Sequence, residues 1–292
     1  MKICLESYAK VNLFLEVLGE RTDGYHEIET VMQSVSIRDR IDMEEKEEGI
    51  EVVAEGAGVP SGEENLAHRA ATLLRREAGV RAGCSIRIRK GIPAAAGLGG
   101  GSGDAAAVLA GLHRLWRLDW PRERLAALGA TIGSDVPFFL WGGAALCTGR
   151  GEIVEPLPSL SQRHRFLIVT PPFQVSTRFI YNELNRYALT RPKVWSKVKC
   201  VHGLGSDPEC MLHRLWNRLE EVAFSARPSL REWADRMERL GCSRVLLSGS
   251  GPTLFGLLPR GERDEIGILS RFPDSRHASI AHPTTTGYRF MR

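Results

Sequence analysis

The chain has 292 residues, 43% hydrophobic and 25% charged, with 39 Lys and Arg against 35 Asp and Glu for a formal net charge of +4. These proportions exclude a disordered, collagen-like or low-complexity chain, and the length allows one large or two medium domains with a sizeable core. The small positive balance is spread along the chain and points to no nucleic-acid partner.

Residues 3–17 alternate in part and are expected to form a strand, although Glu6, Lys10 and Asn12 interrupt the apolar pattern. That stretch lacks the basic region of a secretion signal, and nothing approaches the ~18 apolar residues of a membrane span, so no membrane partner is expected. Residues 19–24 are polar and bracketed by glycines, as in a turn. Residues 28–35 and 50–54 read as strands, with the acidic run Glu44 to Glu48 as a solvated face between them. Asn65 is a suitable N-cap for a helix burying Leu66, Ala70, Leu73 and Leu74, with Gly79 after its end. Residues 84–88 alternate into another strand.

An alanine-rich helix is expected over residues 104–115, with Asp104 complementing the helix dipole at its start. Pro121 opens a further helix through Leu128, and a strand over 140–147 follows a turn at Asp135-Val136-Pro137. A boundary near residues 156–162 separates an N-terminal half, 1–158, from a C-terminal half, 159–292. The second half is expected to contain a strand over 166–170, helices over 177–187, 212–224 and 229–240, and strands over 245–247 and 253–258. Residues 186–206 carry Arg186, Arg191, Lys193, Lys197 and Lys199 without a carboxylate and read as an exposed loop. The six cysteines form no CxxC pair and no zinc-finger spacing, which favours reduced structural thiols and a cytoplasmic location.

Chemistry concentrates in one segment: Pro93-Ala94-Ala95-Ala96-Gly97-Leu98-Gly99-Gly100-Gly101-Ser102-Gly103. Glycines let backbone N–H groups converge on an anion, and the following helix N-terminus adds about half a positive charge. Between a strand and a helix, this is a phosphate cradle. It is no Walker A loop, because the chain contains no Gly-Lys pair. Nor does it fit a dinucleotide fingerprint: the sixth position is Ser102 counted from Gly97 and Asp104 counted from Gly99.

The spacing resembles the Pro-x-x-x-Gly-Leu-Gly loop of the GHMP kinase superfamily, on which ATP phosphates bind. Ala9-Lys10-Val11-Asn12-Leu13, then Gly19-x-Arg21-x-Asp23-Gly24-Tyr25-His26, resembles the N-terminal motif of one branch, as does Ile132-Gly133-Ser134-Asp135-Val136-Pro137-Phe138-Phe139. Ser248-Gly249-Ser250-Gly251-Pro252-Thr253 resembles its C-terminal glycine motif. The resemblance implies a two-domain α+β GHMP kinase fold with the active site in the interdomain cleft. It implies ATP and Mg²⁺ as cofactors. The implied reaction moves the ATP γ-phosphate to the 2-hydroxyl of a cytidine diphosphate sugar alcohol, 4-diphosphocytidyl-2-C-methyl-D-erythritol, in the non-mevalonate isoprenoid pathway.

Phosphoryl transfer to an alcohol needs a donor cradle, a positioned hydroxyl and a cation near the transferring group. Asp135 is the candidate base and Lys10 the candidate cation, roles the resemblance also gives them. Both interrupt apolar stretches, so mutual pairing is expected. By resemblance, Tyr25 and Tyr181 sandwich the cytosine, His26 reads its edge and Asn12 hydrogen-bonds the substrate. One departure concerns the metal: the family commonly has two serines where this chain has Ser102-Gly103. With one hydroxyl lost, no metal ligand is assigned, and magnesium is expected to rest mainly on phosphates and water. Another small-alcohol kinase and a non-catalytic sensor of the same fold stay open. Tyr25-His26 argues against the first, and Lys10 together with Asp135 against the second. Monomer and homodimer are equally compatible.

Overall fold

The computed structural model describes residues 1–56, 58–60, 62–188, 208–262 and 264–291. The basic stretch expected as a loop falls on residues 189–207 for the most part and lies outside them. Two long strands, β1 (Lys2–Glu20) and β2 (His26–Lys46), form an antiparallel hairpin. The acidic run begins at the end of β2, which continues through Glu44 and Glu45. Around the hairpin, β4 (Gly83–Arg89) and β3 (Ile50–Glu55) extend one edge, and β12 (Tyr288–Phe290) adds to β1 on the other. β5 (Ala144–Thr148) pairs with β2 and with β6 (Ile153–Leu157), while the short β8 (Trp216–Asn217) joins β1 in parallel. A second antiparallel sheet has the order β11 (His277–Ala281), β7 (Phe166–Thr170), β10 (Leu254–Leu257), β9 (Ser243–Leu247). Residues from the C-terminal half thus supply β8 and β12 to the first sheet.

α1 (Leu66–Glu77), α2 (Gly100–Leu115), α3 (Arg122–Ala130) and α4 (Val136–Trp141) pack on the first sheet. Asn65 caps α1 as expected, its Oδ1 accepting the Ala67 N–H at 2.9 Å. α2 is buried on all sides from Gly103 to Leu112, which is why its side chains are small. At Gly111 a Cβ would lie 2.6 Å from Met43 Sδ, so a larger residue at that crossing would have to displace the Met43 side chain. The second sheet carries α5 (Thr177–Ala188), α6 (Glu220–Ala226), α7 (Ser229–Arg239) and α8 (Glu265–Leu269). α7 buries Leu230, Trp233, Ala234 and Met237, the spacing of one helical face. A third apolar cluster joins Val11 and Leu13 of β1 to Phe166, Ile168 and Phe255, binding the two halves through one core. Burying one such side chain is worth about 1.5–3 kcal/mol.

Two expectations fail for identifiable reasons. The turn and strand expected over 135–147 are a helix and then a strand: Pro137 sits in the first turn of α4, where its missing N–H costs nothing, and β5 starts only after Gly142 and Gly143, both at positive φ. The helix expected over 212–224 is replaced by a 3-10 turn (Pro208–His213), β8 and α6. Buried Asn217 holds this segment out of a helix, donating Nδ2 to Leu247 O at 2.9 Å and Gly249 O at 2.7 Å and accepting the Leu219 N–H at 2.9 Å. Such side-chain bonds compete with the helical ladder. The last helix and last two strands, α8, β11 and β12, lie beyond the expected elements. Among the described residues, no helix is long and apolar enough to cross a membrane.

Candidate active site

A cavity of about 880 Å³ opens between the β1–β2 hairpin, the glycine loop, α5 and the turn joining β9 to β10. Lys10 and Asn12 reach it from β1, where a spacing of two puts both on one face. Both are almost fully buried. Lys10 Nζ donates to Asn12 Oδ1 at 2.6 Å, and Asn12 Nδ2 donates to Thr30 Oγ1 at 2.8 Å. Thr30 in turn donates to the Phe14 carbonyl at 2.6 Å, so its hydroxyl can only accept from Asn12. Asp135, one residue before α4, brings its carboxylate to 3.8 Å from Lys10 Nζ. The expected pairing of Lys10 with Asp135 is present. Burial lowers the Lys10 pKa, with the Asp135 charge opposing it. One ammonium proton goes to Asn12 and one faces Asp135, leaving a third for the cavity.

Gly97 and Gly99 line the cavity, both at positive φ, 77° and 72°. Gly99 is also the N-cap of α2 and brings no capping side chain, so the first N–H groups of a 16-residue helix are left for a ligand. The loop is braced from two sides. Its Leu98 carbonyl accepts the Lys10 N–H at 3.0 Å, and its Gly97 carbonyl accepts from Ser248 Oγ at 2.9 Å. The glycine motif at 248–253 therefore supports the Gly97–Gly99 loop, and Gly249 and Ser250 reach the cavity. Gly100, Gly101, Ser102 and Gly103 form the first turn of α2. Ahead of them, Ala96 and Leu98 are buried, and the Ala94 carbonyl accepts from Arg276 at 2.8 Å. Pro93, Ala94, Ala95 and Ala96 set the entry of the loop and do not line the cavity.

Tyr25, His26 and Tyr181 come together at the far end of the cavity. Tyr25 is 53% exposed and lies under the Arg150 guanidinium, 4.7 Å from ring centroid to Cζ. His26 packs on Tyr181 with centroids 4.7 Å apart and planes at 37°. Tyr181 belongs at once to the second-half core and to the cavity wall. Burial, and then the Asp135 charge, push its phenol pKa up, so it is a neutral ring.

Several contributors carried no recognisable sequence signal. Arg150, Thr30 and Asn185 are single polar residues whose partners lie on other elements. Asp104 is not a dipole partner: it is buried one turn inside α2, accepting Ser7 Oγ at 2.7 Å and pairing with Lys90 Nζ at 2.7 Å. Lys90 also pairs with fully buried Asp39, which accepts the N–H groups of Gly91 and Ile92 at 2.7 and 2.8 Å. This cluster anchors the strand that enters the glycine loop. Burial and then the Asp104 charge push the Asp39 carboxyl up to about 7, against the pull of Lys90. Among the described residues, no three His, Cys, Asp or Glu side chains gather to hold a metal ion.

The chain matches the GHMP kinases N terminal domain over residues 65–143 and the GHMP kinases C terminal domain over residues 206–267. It is 41% identical over 264 residues to a 4-diphosphocytidyl-2-C-methyl-D-erythritol kinase of Bacillus cytotoxicus, covering 90% of each chain. It is 42% identical over 265 residues to the protein of that name from Geobacillus kaustophilus, again over 90% of each. A crystal structure of 4-(cytidine 5'-diphospho)-2C-methyl-D-erythritol kinase superimposes with a TM-score of 0.76 at 36% identity, covering 97% of this chain and 99% of that one. Homoserine kinase from Cytophaga hutchinsonii shares the fold, with a TM-score of 0.74 at 16% identity over 99% of this chain and 97% of that one. With this much of the chain aligned and its four motifs converging on one cleft, the chain belongs to the 4-diphosphocytidyl-2-C-methyl-D-erythritol kinase family of GHMP kinases.

Proposed function

We propose that the chain transfers the γ-phosphoryl group of ATP to the 2-hydroxyl of 4-diphosphocytidyl-2-C-methyl-D-erythritol, giving ADP and the 2-phosphate. The observation that carries this reading is the single cavity shared by Lys10, Asp135, the Gly97–Gly99 loop and the Tyr25–His26–Tyr181 group. ATP lays its phosphates on the loop and the first turn of α2. The base of the acceptor goes to Tyr25, His26 and Tyr181, which places the alcohol toward Asp135. Asp135 orients the hydroxyl and takes its proton as the phosphoryl group arrives. Lys10, held by Asn12, faces the Asp135 carboxylate and places a proton against the oxygens that gain charge. Walls on both sides of the cleft keep the donor and acceptor oxygens aligned.

Magnesium fits here as an ion carried by the ATP phosphates. The nearby protein donors are oxygens, the Ser102 hydroxyl beside Gly133 and the Asp135 carboxylate, which suits an ion that keeps several waters. When bound, it neutralises phosphate charge during transfer. A reducing cytoplasmic setting suits the free cysteines among the described residues.

The test is an ADP-release assay with four acceptors: the cytidine diphosphate alcohol, homoserine, mevalonate and galactose. ADP is expected only with the first. Turnover of one of the others with none of the first refutes the assignment.

A further inference from the structure

We propose that Asn185 and Glu20 fix the proton position on His26, and through it select a pyrimidine that carries an amino group. The inference rests on the assignment of Tyr25, His26 and Tyr181 to the base. Glu20 and His26 are cross-strand partners at the end of the β1–β2 hairpin. Asn185 lies four residues after Tyr181 on α5, so both point from one helix face to the same place. Tyr181 packs on the His26 ring, and the Asn185 amide bridges His26 and Glu20.

The direction of that bridge follows from donor and acceptor chemistry. The Glu20 carboxylate accepts, so at 3.2 Å it takes the NH₂ end of the Asn185 amide. The amide oxygen is thereby turned to His26 Nε2, 2.9 Å away. An amide oxygen accepts only, so Nε2 carries the imidazole proton. A neutral imidazole has one such proton, and Nδ1 is left with a lone pair. No described residue bonds Nδ1, and His26 lines the cavity. An acceptor at the edge of the base site matches the exocyclic amino group of cytosine. Uracil presents a carbonyl oxygen at the same place, and two acceptors then face each other. Asn185 and Glu20 are positioning residues in this scheme: they touch the reader of the base, not the base.

The experiment is ¹⁵N NMR of the imidazole nitrogens in the ligand-free protein, with His26 assigned by its absence in His26→Gln. It is paired with kcat/KM for the cytidine and uridine diphosphate alcohols. The wild type is expected to show the Nε2–H form. Asn185→Leu and, independently, Glu20→Ala should give a mixture of tautomers and lose about tenfold of the cytidine-over-uridine preference, with the ATP KM unchanged. An Nδ1–H form in the wild type overturns the proposal. So does a tautomer and a preference that both variants leave unchanged, or a tautomer that shifts without the preference. The NMR measurement needs no turnover, so absence of activity on the cytidine alcohol would fall on the assigned function and not on the relay.

Discussion

The Lys10 ammonium stands 3.8 Å from the Asp135 carboxylate across the mouth of the glycine loop. A charge-assisted hydrogen bond is shorter, about 2.7–2.9 Å, so each group retains capacity for a third party. Asp135→Asn keeps the shape and removes the proton acceptor. It is expected to lower kcat by about 10²–10⁴-fold while the ATP dissociation constant changes little. Steady-state kinetics together with nucleotide binding checks this, and an unchanged kcat would remove Asp135 from the chemistry.

The Asp39–Lys90–Asp104 cluster predicts a pH signature in stability. Burial and then the Asp104 charge push the Asp39 carboxyl up to about 7 in the folded protein, against the pull of Lys90 and from an ordinary value of 3.8. Between about pH 4 and 7 the folded state therefore binds more protons than the unfolded one. Stability is favoured at the acid end of this window and is lost as pH rises through it, by at most about 1.4 kcal/mol per pH unit. Burial works against the Lys90 charge, yet Asp104 and Asp39 raise its pKa overall, so it stays charged throughout. Urea denaturation at pH 5 and pH 8 is expected to show Asp39→Asn flattening the dependence. An Asp39→Asn protein with the wild-type slope would place the titration elsewhere.

That cluster also marks what the sequence leaves hidden. The glycine loop was legible because its function depends on consecutive residues: the missing Cβ groups and the helix start are adjacent in the chain. Lys10 and Asp135 were legible as charges in apolar stretches, and α1 from its cap and face. Asp39, Lys90 and Asp104 have ordinary neighbours, and only the crossing of β2, β4 and α2 makes them one group. The same holds for Asn217, whose two donated bonds reach Leu247 and Gly249 at the end of β9 and, with its local bond from Leu219, override helical periodicity. Residue 185 reads as a polar helix position until α5 is docked on the hairpin.

The glycines of the loop differ in what they tolerate. A Cβ at Gly99 would lie 2.7 Å from Phe139 Cζ and 3.1 Å from Lys10 Cγ, at a φ of 72°. Gly99→Ala combines a left-handed alanine, about 1–2 kcal/mol, with overpacking of about 1–3 kcal/mol. It is expected to lower stability by about 2–5 kcal/mol and raise the ATP KM, because the displaced groups are Phe139 and Lys10. At Gly101 a Cβ meets only Leu66, at an ordinary 3.5 Å. Gly101→Ala is expected to hold or raise stability by up to about 1 kcal/mol, since alanine favours the helix. Thermal and urea unfolding of the two proteins separates them, and equal losses would contradict the loop packing.

Arg150 packs on Tyr25 at the wall of the cavity. Its guanidinium covers one face of Tyr25 and donates to Glu152 Oε1 at 3.5 Å and to the Ala130 carbonyl at 3.4 Å, while the Arg150 backbone N–H donates to Glu152 Oε2 at 2.6 Å. Tyr25 is half exposed, so without this cover its ring has little to fix its plane. A cation over an aromatic ring at an exposed site contributes about 0.5–1 kcal/mol. Arg150→Ala should therefore raise the KM for the cytidine substrate about two- to fivefold and leave the ATP KM where it is. Arg150→Lys should recover part of the loss, because the charge is kept and the planar stacking is not. Equal rises in both KM values would instead assign Arg150 to the folding of the 148–152 turn.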